Sequence, residues 1–266
     1  DAVEEPDLKV KIFDHLIAAA PPTRELYERY LDTLTELDRL DAAYEVALRA
    51  VKALPAEQAL WDRAEQIARQ MSSAEPLADA YEEVLQACVP RPERASEAPP
   101  SESRERPRLD KAAAVELGQR AVAFYEEWYE DSERVVRILE RLLAIDPEDI
   151  WAFDRLKLIF DAQERWDDMF ALYDRAAATA DKERKIELLE EAAQIAKDFA
   201  NHSQRAIRYF EQLLELKPGN ARLTSALERL YERHGCHREL ITLRGMRLMS
   251  LPHEEAQKER ARIAAL

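Results

Sequence analysis

Residues 134–147, RVVRILERLLAIDP, reappear 71 positions later as residues 205–218, RAIRYFEQLLELKP. The same offset continues without a gap on both sides of these stretches. The matched residues are Glu116-Leu117 with Glu187-Leu188, Ala121 with Ala192, Trp128 with Phe199, Leu156 with Leu227, Phe160 with Tyr231, and Met169 with Leu240. Apolar positions keep their size while exposed positions drift, which is typical of a packing unit repeated to build one core.

The composition of the 266 residues favours helices throughout. Charged residues make up 35% of the chain, hydrophobic residues 47%, and only 4 residues are glycine. A sheet needs more turn glycines and more β-branched residues, whereas Ala, Leu, Glu and Arg lose little rotamer freedom in a helix. We therefore expect an all-α fold.

Each long repeat is predicted to contain two helical hairpins, because 71 is about twice the roughly 34 residues of a known two-helix unit. An earlier copy of the pattern is AYEVALRA at 43–50, which resembles AYEEVLQA at 80–87. Pro22 and Pro55 stand where one hairpin should end and the next begin, since proline suits only the first helical turn. Asp146-Pro147-Glu148-Asp149 is a strong helix-start signal, with acidic residues at the positive end of the helix that follows, and Asn220 is a candidate N-cap.

The unit at 150–183 resembles the tetratricopeptide family, although its repeats are degenerate. The matching residues are Phe153, Leu156, Phe160, Tyr173 and Ala176, while Lys157 and Met169 replace the usual Gly and Ala, and the last unit has Thr224, Arg244 and Arg247 at apolar positions. The resemblance implies an α-solenoid of stacked antiparallel helical hairpins that binds other proteins. Half-a-tetratricopeptide repeats of RNA-processing scaffolds, and other helical-pair solenoids, remain alternatives.

Residues 90–108 interrupt the helical pattern with five prolines, three serines and no aromatic or aliphatic residue larger than alanine. Such a segment buries too little surface to offset its ordering entropy. We predict a linker or long surface loop that joins an N-terminal helical block, 1–89, to a C-terminal block, 109–266, which contains the 71-residue double repeat. A recognition segment rich in Arg, Ser and Pro is the less favoured interpretation.

The formal net charge of −15 disfavours nucleic acid and anionic membranes as partners, because both are bound by clustered Lys and Arg. Residues 1–89 contain 19 acidic and 9 basic residues, which favours a protein partner with a basic surface. The sequence contains no run of 18 apolar residues, so we predict no membrane insertion. Two cysteines without a disulfide framework favour a reducing, cytoplasmic compartment, and we interpret the start at Asp1 as a processed or trimmed chain.

Motifs for catalysis or for a cofactor are absent from the sequence. His253-Glu-Glu-Ala-Gln257 lacks the second histidine of a zinc-protease helix. The cluster His234, Cys236 and His237, with His202, is a candidate zinc site, but the favoured interpretation of Gly235 is a left-handed helix cap with polar neighbours. We expect no enzyme activity, no metal and no cofactor.

The predicted binding surface is the concave wall formed by the first helix of each hairpin. Its outward positions are Trp151, Asp154, Leu158 and Asp161 in one unit and Arg222, Ser225, Arg229 and Glu232 in the next. An apolar, acidic patch beside an arginine pair suits a partner segment, with Arg222 and Arg229 binding a carboxylate.

We therefore expect a protein-interaction scaffold or adaptor within a larger multiprotein assembly. A peptide-binding sensor, an RNA-processing scaffold and a helical appendage of an enzyme remain alternatives. By the 71-residue offset, residues 254–266 match the helical stretch 183–195, so we expect a further part of the chain or a partner to cover them.

Overall fold

The computed structural model describes residues 4–19, 21–90, 109–199 and 202–248, together with Gln257 and Arg260. In these ranges the chain forms thirteen α-helices and no strand, which confirms the all-α prediction. The helices are α1 (Glu4–Ala19), α2 (Arg24–Glu36), α3 (Leu40–Ala53), α4 (Gln58–Met71), α5 (Glu75–Cys88), α6 (Lys111–Trp128), α7 (Ser132–Ile145), α8 (Ile150–Ala162), α9 (Trp166–Thr179), α10 (Lys182–Asp198), α11 (Ser203–Leu216), α12 (Ala221–His234) and α13 (His237–Leu248).

Several sequence predictions fall outside the described residues. They concern the linker after Pro90, the stretch that begins at His253, the side chain of Arg247, and the expected cover over residues 254–266. The boundary between the blocks 1–89 and 109–266 therefore stays a prediction.

The first compact unit spans residues 1–159. Each helix from α1 to α6 packs against the next helix in the chain, and α5 also packs against both α3 and α7. All connections except the one between α5 and α6 are short, and short connections make neighbouring helices antiparallel, so the unit is a series of helical hairpins. We call α2, α4, α6 and α8 the first helices of their hairpins, and α3, α5 and α7 the second helices.

The second compact unit spans residues 160–266, so α8 crosses the boundary between the units. In this unit each helix from α9 to α12 packs against the next one. By the repeat pattern α10 and α12 are first helices, and α9, α11 and α13 are second helices. Across both units, the helices contain 12 to 18 residues and follow one another in consecutive hairpins. The described part of the chain is therefore a tetratricopeptide-like helical repeat, as the sequence predicted.

The repeat-matched apolar residues form the cores of the two units. Both members of five matched pairs are buried, namely Leu117 and Leu188, Ala121 and Ala192, Leu156 and Leu227, Phe160 and Tyr231, and Met169 and Leu240. The sixth pair departs from this rule, since Trp128 is half-buried and Phe199 is 70% exposed. Phe199 is the C-cap of α10, so its side chain lies beyond the packed face of that helix.

The predicted helix ends are confirmed. The side chain of Asn220 accepts hydrogen bonds from the backbone N–H groups of Arg222 and Leu223, which caps α12. Asp149 accepts a bond of 3.0 Å from the N–H of Ala152 at the start of α8. Gly235 ends α12 with a φ of +68°, a left-handed conformation that glycine adopts without strain.

Gly118 of α6 allows a test of this packing. A Cβ atom there would lie 2.2 Å from Cδ2 of the buried Leu142 on α7. We expect Gly118→Ala to lower the free energy of unfolding by about 1–3 kcal/mol, because α6 and α7 must move apart. Urea denaturation followed by circular dichroism measures this change.

Gly245→Ala in α13 is the matched control, since a Cβ atom added there would meet nothing within 4 Å among the described residues. There we expect a gain of roughly 0.5–1 kcal/mol from helix propensity alone. Equal effects of the two substitutions would contradict the packing role of Gly118.

Candidate protein-binding surfaces

Three of the four predicted surface residues on α8, namely Trp151, Asp154 and Leu158, lie in unit 1. Asp154 and Leu158 are both exposed and lie one helical turn apart, and the side chain of Leu158 is 62% exposed. Trp151 is only half-buried. Asp161 is also exposed, on the last turn of α8, and belongs to unit 2. The helix therefore presents an aliphatic side chain beside a carboxylate, and its role in partner binding stays a prediction.

The second predicted set lies on α12 of unit 2, where Arg222, Ser225, Arg229 and Glu232 are all exposed or half-buried at the surface. Spacings of three and four residues place them along one side of the helix. Nε of Arg229 donates to the backbone oxygen of Ser225 at 3.1 Å. Glu232 forms an ion pair with Arg244 of α13. A partner carboxylate bound by Arg222 and Arg229 remains a prediction.

An arginine ladder on the first helices of unit 1 was not predicted from the sequence. We use this name for three arginines, each of which reaches an acidic side chain on the preceding first helix. The pairs are Arg63 with Asp32 at 2.8 Å, Arg120 with Asp62 at 2.6 Å, and Arg155 with Glu126. The ladder therefore connects α2, α4, α6 and α8 across their outward faces.

The sequence contains a local signal for the helix face on which these arginines lie, although not for the acids that they bind. Each arginine of the ladder follows an acidic or amide residue, in Asp62-Arg63, Gln119-Arg120 and Asp154-Arg155. The residue before each of these pairs is buried in all three helices. These residues are Trp61, Gly118 and Phe153. An arginine two positions after a core residue could therefore have marked the outward face of a first helix.

Arg120 is the centre of the most buried part of the ladder. Its Nε donates to Glu65 at 2.7 Å, and the hydroxyl of Tyr81 donates to the same carboxylate oxygen at 2.7 Å. The Tyr81 ring stacks on Trp61 with centroids 4.3 Å apart, and both rings are fully buried. The charged surface is thus attached directly to the aromatic core.

The electrostatics of this group indicate positioning rather than proton transfer. Burial, followed by the negative charge of Glu65, raises the pKa of the Tyr81 hydroxyl. Tyr81 therefore stays protonated over the physiological range and serves as a hydrogen-bond donor. A general acid or base would need a pKa near the working pH.

The candidate zinc ligands lie at the turn between α12 and α13. His234 and His237 are exposed, and Cys236 is half-buried. Across the described ranges, no three His, Cys, Asp or Glu residues are grouped so that they could hold a metal ion. In the same part of the chain, the helices are too short or too polar to span a bilayer.

A cleft of about 800 Å³ lies between α11, α12 and α13 of unit 2. Its apolar lining comprises Leu214, Pro218, Ala221, Leu227, Leu243 and Met246. Ser225, one of the predicted surface residues, also contributes to the lining. We call this space the α11–α13 cleft. Its volume is within the range of protein sites that bind ligands.

Comparisons with known proteins identify no close relative. No family model matches the sequence, and no curated protein matches it. Matching solved structures include the C-terminal part of a TPR repeat-containing protein from Cytophaga hutchinsonii, at 15% identity and a TM-score of 0.32, with 98% of this chain and 90% of that chain covered.

Two further matches are the TPR domain of P58(IPK) and yeast Tom70. The first has 13% identity, a TM-score of 0.22, and coverage of 98% of this chain and 83% of that chain. The second has 15% identity, a TM-score of 0.21, and coverage of 92% and 66%. TM-scores this low establish no detailed likeness, so the tetratricopeptide-like fold rests on the helix packing described above.

Arg120 allows a test of the ladder. We expect Arg120→Met to lower the free energy of unfolding by about 2 kcal/mol, because the carboxylate of Glu65, 12% exposed, then keeps only the longer ion pair with Arg69 at 3.3 Å. Chemical denaturation followed by circular dichroism measures this loss.

Arg63→Met is the matched control, because its partner Asp32 is 64% exposed and well solvated. We expect this change to cost less than about 1 kcal/mol. Adding Glu65→Gln to Arg120→Met should recover part of the loss by removing a buried charge that Arg69 alone compensates. Similar losses for Arg63 and Arg120 would show that burial does not determine the strength of the ladder.

Proposed function

We propose that this chain is a non-catalytic scaffold that binds a segment of a partner protein on the surface of its first helices, as an adaptor within a larger assembly. The arginine ladder is the observation that supports this most strongly. Arg63, Arg120 and Arg155 each join two first helices, so the charged surface is already ordered without a partner. An ordered surface loses less side-chain freedom on binding than a mobile one.

The contact residues proposed in unit 1 are Asp154 and Leu158. Asp154 directly precedes Arg155 of the ladder, and Leu158 extends from the next turn of α8 with most of its surface exposed. An aliphatic anchor beside a carboxylate suits a partner segment that carries a large apolar side chain next to Lys or Arg. The excess of acidic residues in 1–89 favours the same basic partner.

The proposal is tested by affinity capture with the whole chain as bait, in a lysate of the cells that produce it. Captured partners are identified by mass spectrometry, and the affinity of each is then measured by calorimetry. We expect Leu158→Glu and Asp154→Lys each to weaken partner binding by at least about tenfold, or about 1.4 kcal/mol, because the anchor or its charge is lost.

Phe199→Glu is the matched control, since Phe199 is 70% exposed and lies on unit 2. This variant should bind the partner as the unchanged chain does. Equal affinity in all variants would remove α8 from the binding surface. Turnover by the purified chain, surviving removal of trace contaminants, would contradict the non-catalytic role.

A further inference from the structure

The α11–α13 cleft occupies a place that is filled by packing in unit 1. There, the second helix α5 packs directly against both α3 and α7. Between the corresponding helices α11 and α13 of unit 2 lies the cleft, with α12 as its floor. A groove of about 800 Å³ with an apolar lining, bordered by two second helices, suits the apolar face of a helical segment.

The sequence of α13 explains why this space is open. Among the described side chains of α13, only Leu240 and Leu243 are buried, whereas Met246 is 67% exposed and Ile241 is 40% exposed. Polar residues such as Arg238 and Thr242 stand on the side of α13 that lines the cleft. The helix therefore lacks the apolar face with which α5 packs in unit 1.

The walls of the cleft carry negative charge on both sides. Glu211 and Glu215 lie one turn apart on α11, and Glu239 lies on α13, whereas Arg238 is the one basic residue among the described residues of the lining. The hydroxyl of Tyr231, on α12, donates to Glu211 at 2.6 Å. Burial, then Glu211 and Glu239, raise the pKa of that hydroxyl. Carboxylates from both walls of the cleft therefore lie close enough to Tyr231 to influence its ionisation.

We propose that the α11–α13 cleft binds a basic amphipathic helix of a partner protein. Large apolar side chains on one face of that helix pack against Leu214, Leu243 and Met246. Lysine or arginine residues that flank this face pair with Glu211, Glu215 and Glu239. This interaction goes beyond the proposed function, because it uses no residue of the α8 surface and concerns unit 2 alone.

Charge favours a foreign segment over a second copy of this chain. The exposed stripe of α1, formed by Leu8, Ile12 and Leu16, is an amphipathic candidate from a second copy. The sequence of α1 contains four acidic residues and two lysines, however, and would meet three carboxylates in the cleft. Like charges of this kind oppose association.

The test uses the whole chain and a fluorescein-labelled helical peptide of leucine and lysine, with its leucines on one face. Fluorescence anisotropy should detect saturable binding that weakens by about tenfold or more in the double variant Glu215→Gln, Glu239→Gln. The same peptide with glutamate in place of lysine should not bind.

The matched control is Glu183→Gln, Glu187→Gln, which removes two carboxylates from the surface of α10 in the same unit. It should bind the lysine peptide like the unchanged chain, and so should Leu158→Glu, which separates this proposal from the α8 surface. Circular dichroism establishes that each variant is folded. Absence of binding, or equal weakening in both double variants, overturns the proposal.

A benzophenone side chain at Thr242, which lines the cleft, identifies the occupant directly. After irradiation, a crosslink to the lysine peptide supports the proposal. A crosslink to residues 249–266 of the same chain, or to a second copy, shows that the cleft has another occupant and overturns it.

Discussion

Close approach of neighbouring helices through small side chains is the constraint on which unit 1 depends. Ala43, Ala47 and Ala50 of α3 are completely buried, and this helix packs against α2, α4 and α5. Gly118 has the same role where α6 meets α7. Because the side chains at a contact set the distance between helix axes, these residues also determine whether an arginine on one first helix can reach an acid on the next.

Much of the fold could be predicted because its signals are local or repeated. The helix-start signal that ends at Asp149 is followed by α8, and Asn220 and Gly235 cap α12 as their residue types require. Five repeat-matched pairs are buried because each repeat places the same residue against an equivalent neighbour. Phe199 is exposed because α10 ends at Asp198, so the side chain of Phe199 lies beyond the face with which that helix packs. The 71-residue offset alone does not show where a helix ends.

The candidate surfaces were only partly predictable, since they depend on the register between helices. Helical spacing correctly placed Asp154 and Leu158 on the outside of α8. Arg120 and Asp62 are 58 residues apart, however, and no local pattern indicates that their helices bring them within 2.6 Å. Arg244 illustrates the same limit. It occupies a position where the repeat expects an apolar residue, and only the structure pairs it with Glu232.

Both units pair arginines with acids between second helices, since Arg205 of α11 binds Asp167 and Asp174 of α9, but unit 2 differs at the contact between α11 and α13. In unit 1, the acids that line the first helices meet arginines, and Arg134 and Arg141 likewise bind Glu75 and Glu82 between α7 and α5. In unit 2, Glu211 and Glu239 face a cleft, and the hydroxyl of Tyr231 donates its hydrogen bond to Glu211. Apolar packing between α11 and α13 would add stability but close this space. Incomplete packing at a helix contact is thus the feature that gives a repeat fold room to bind a partner, at a cost in stability.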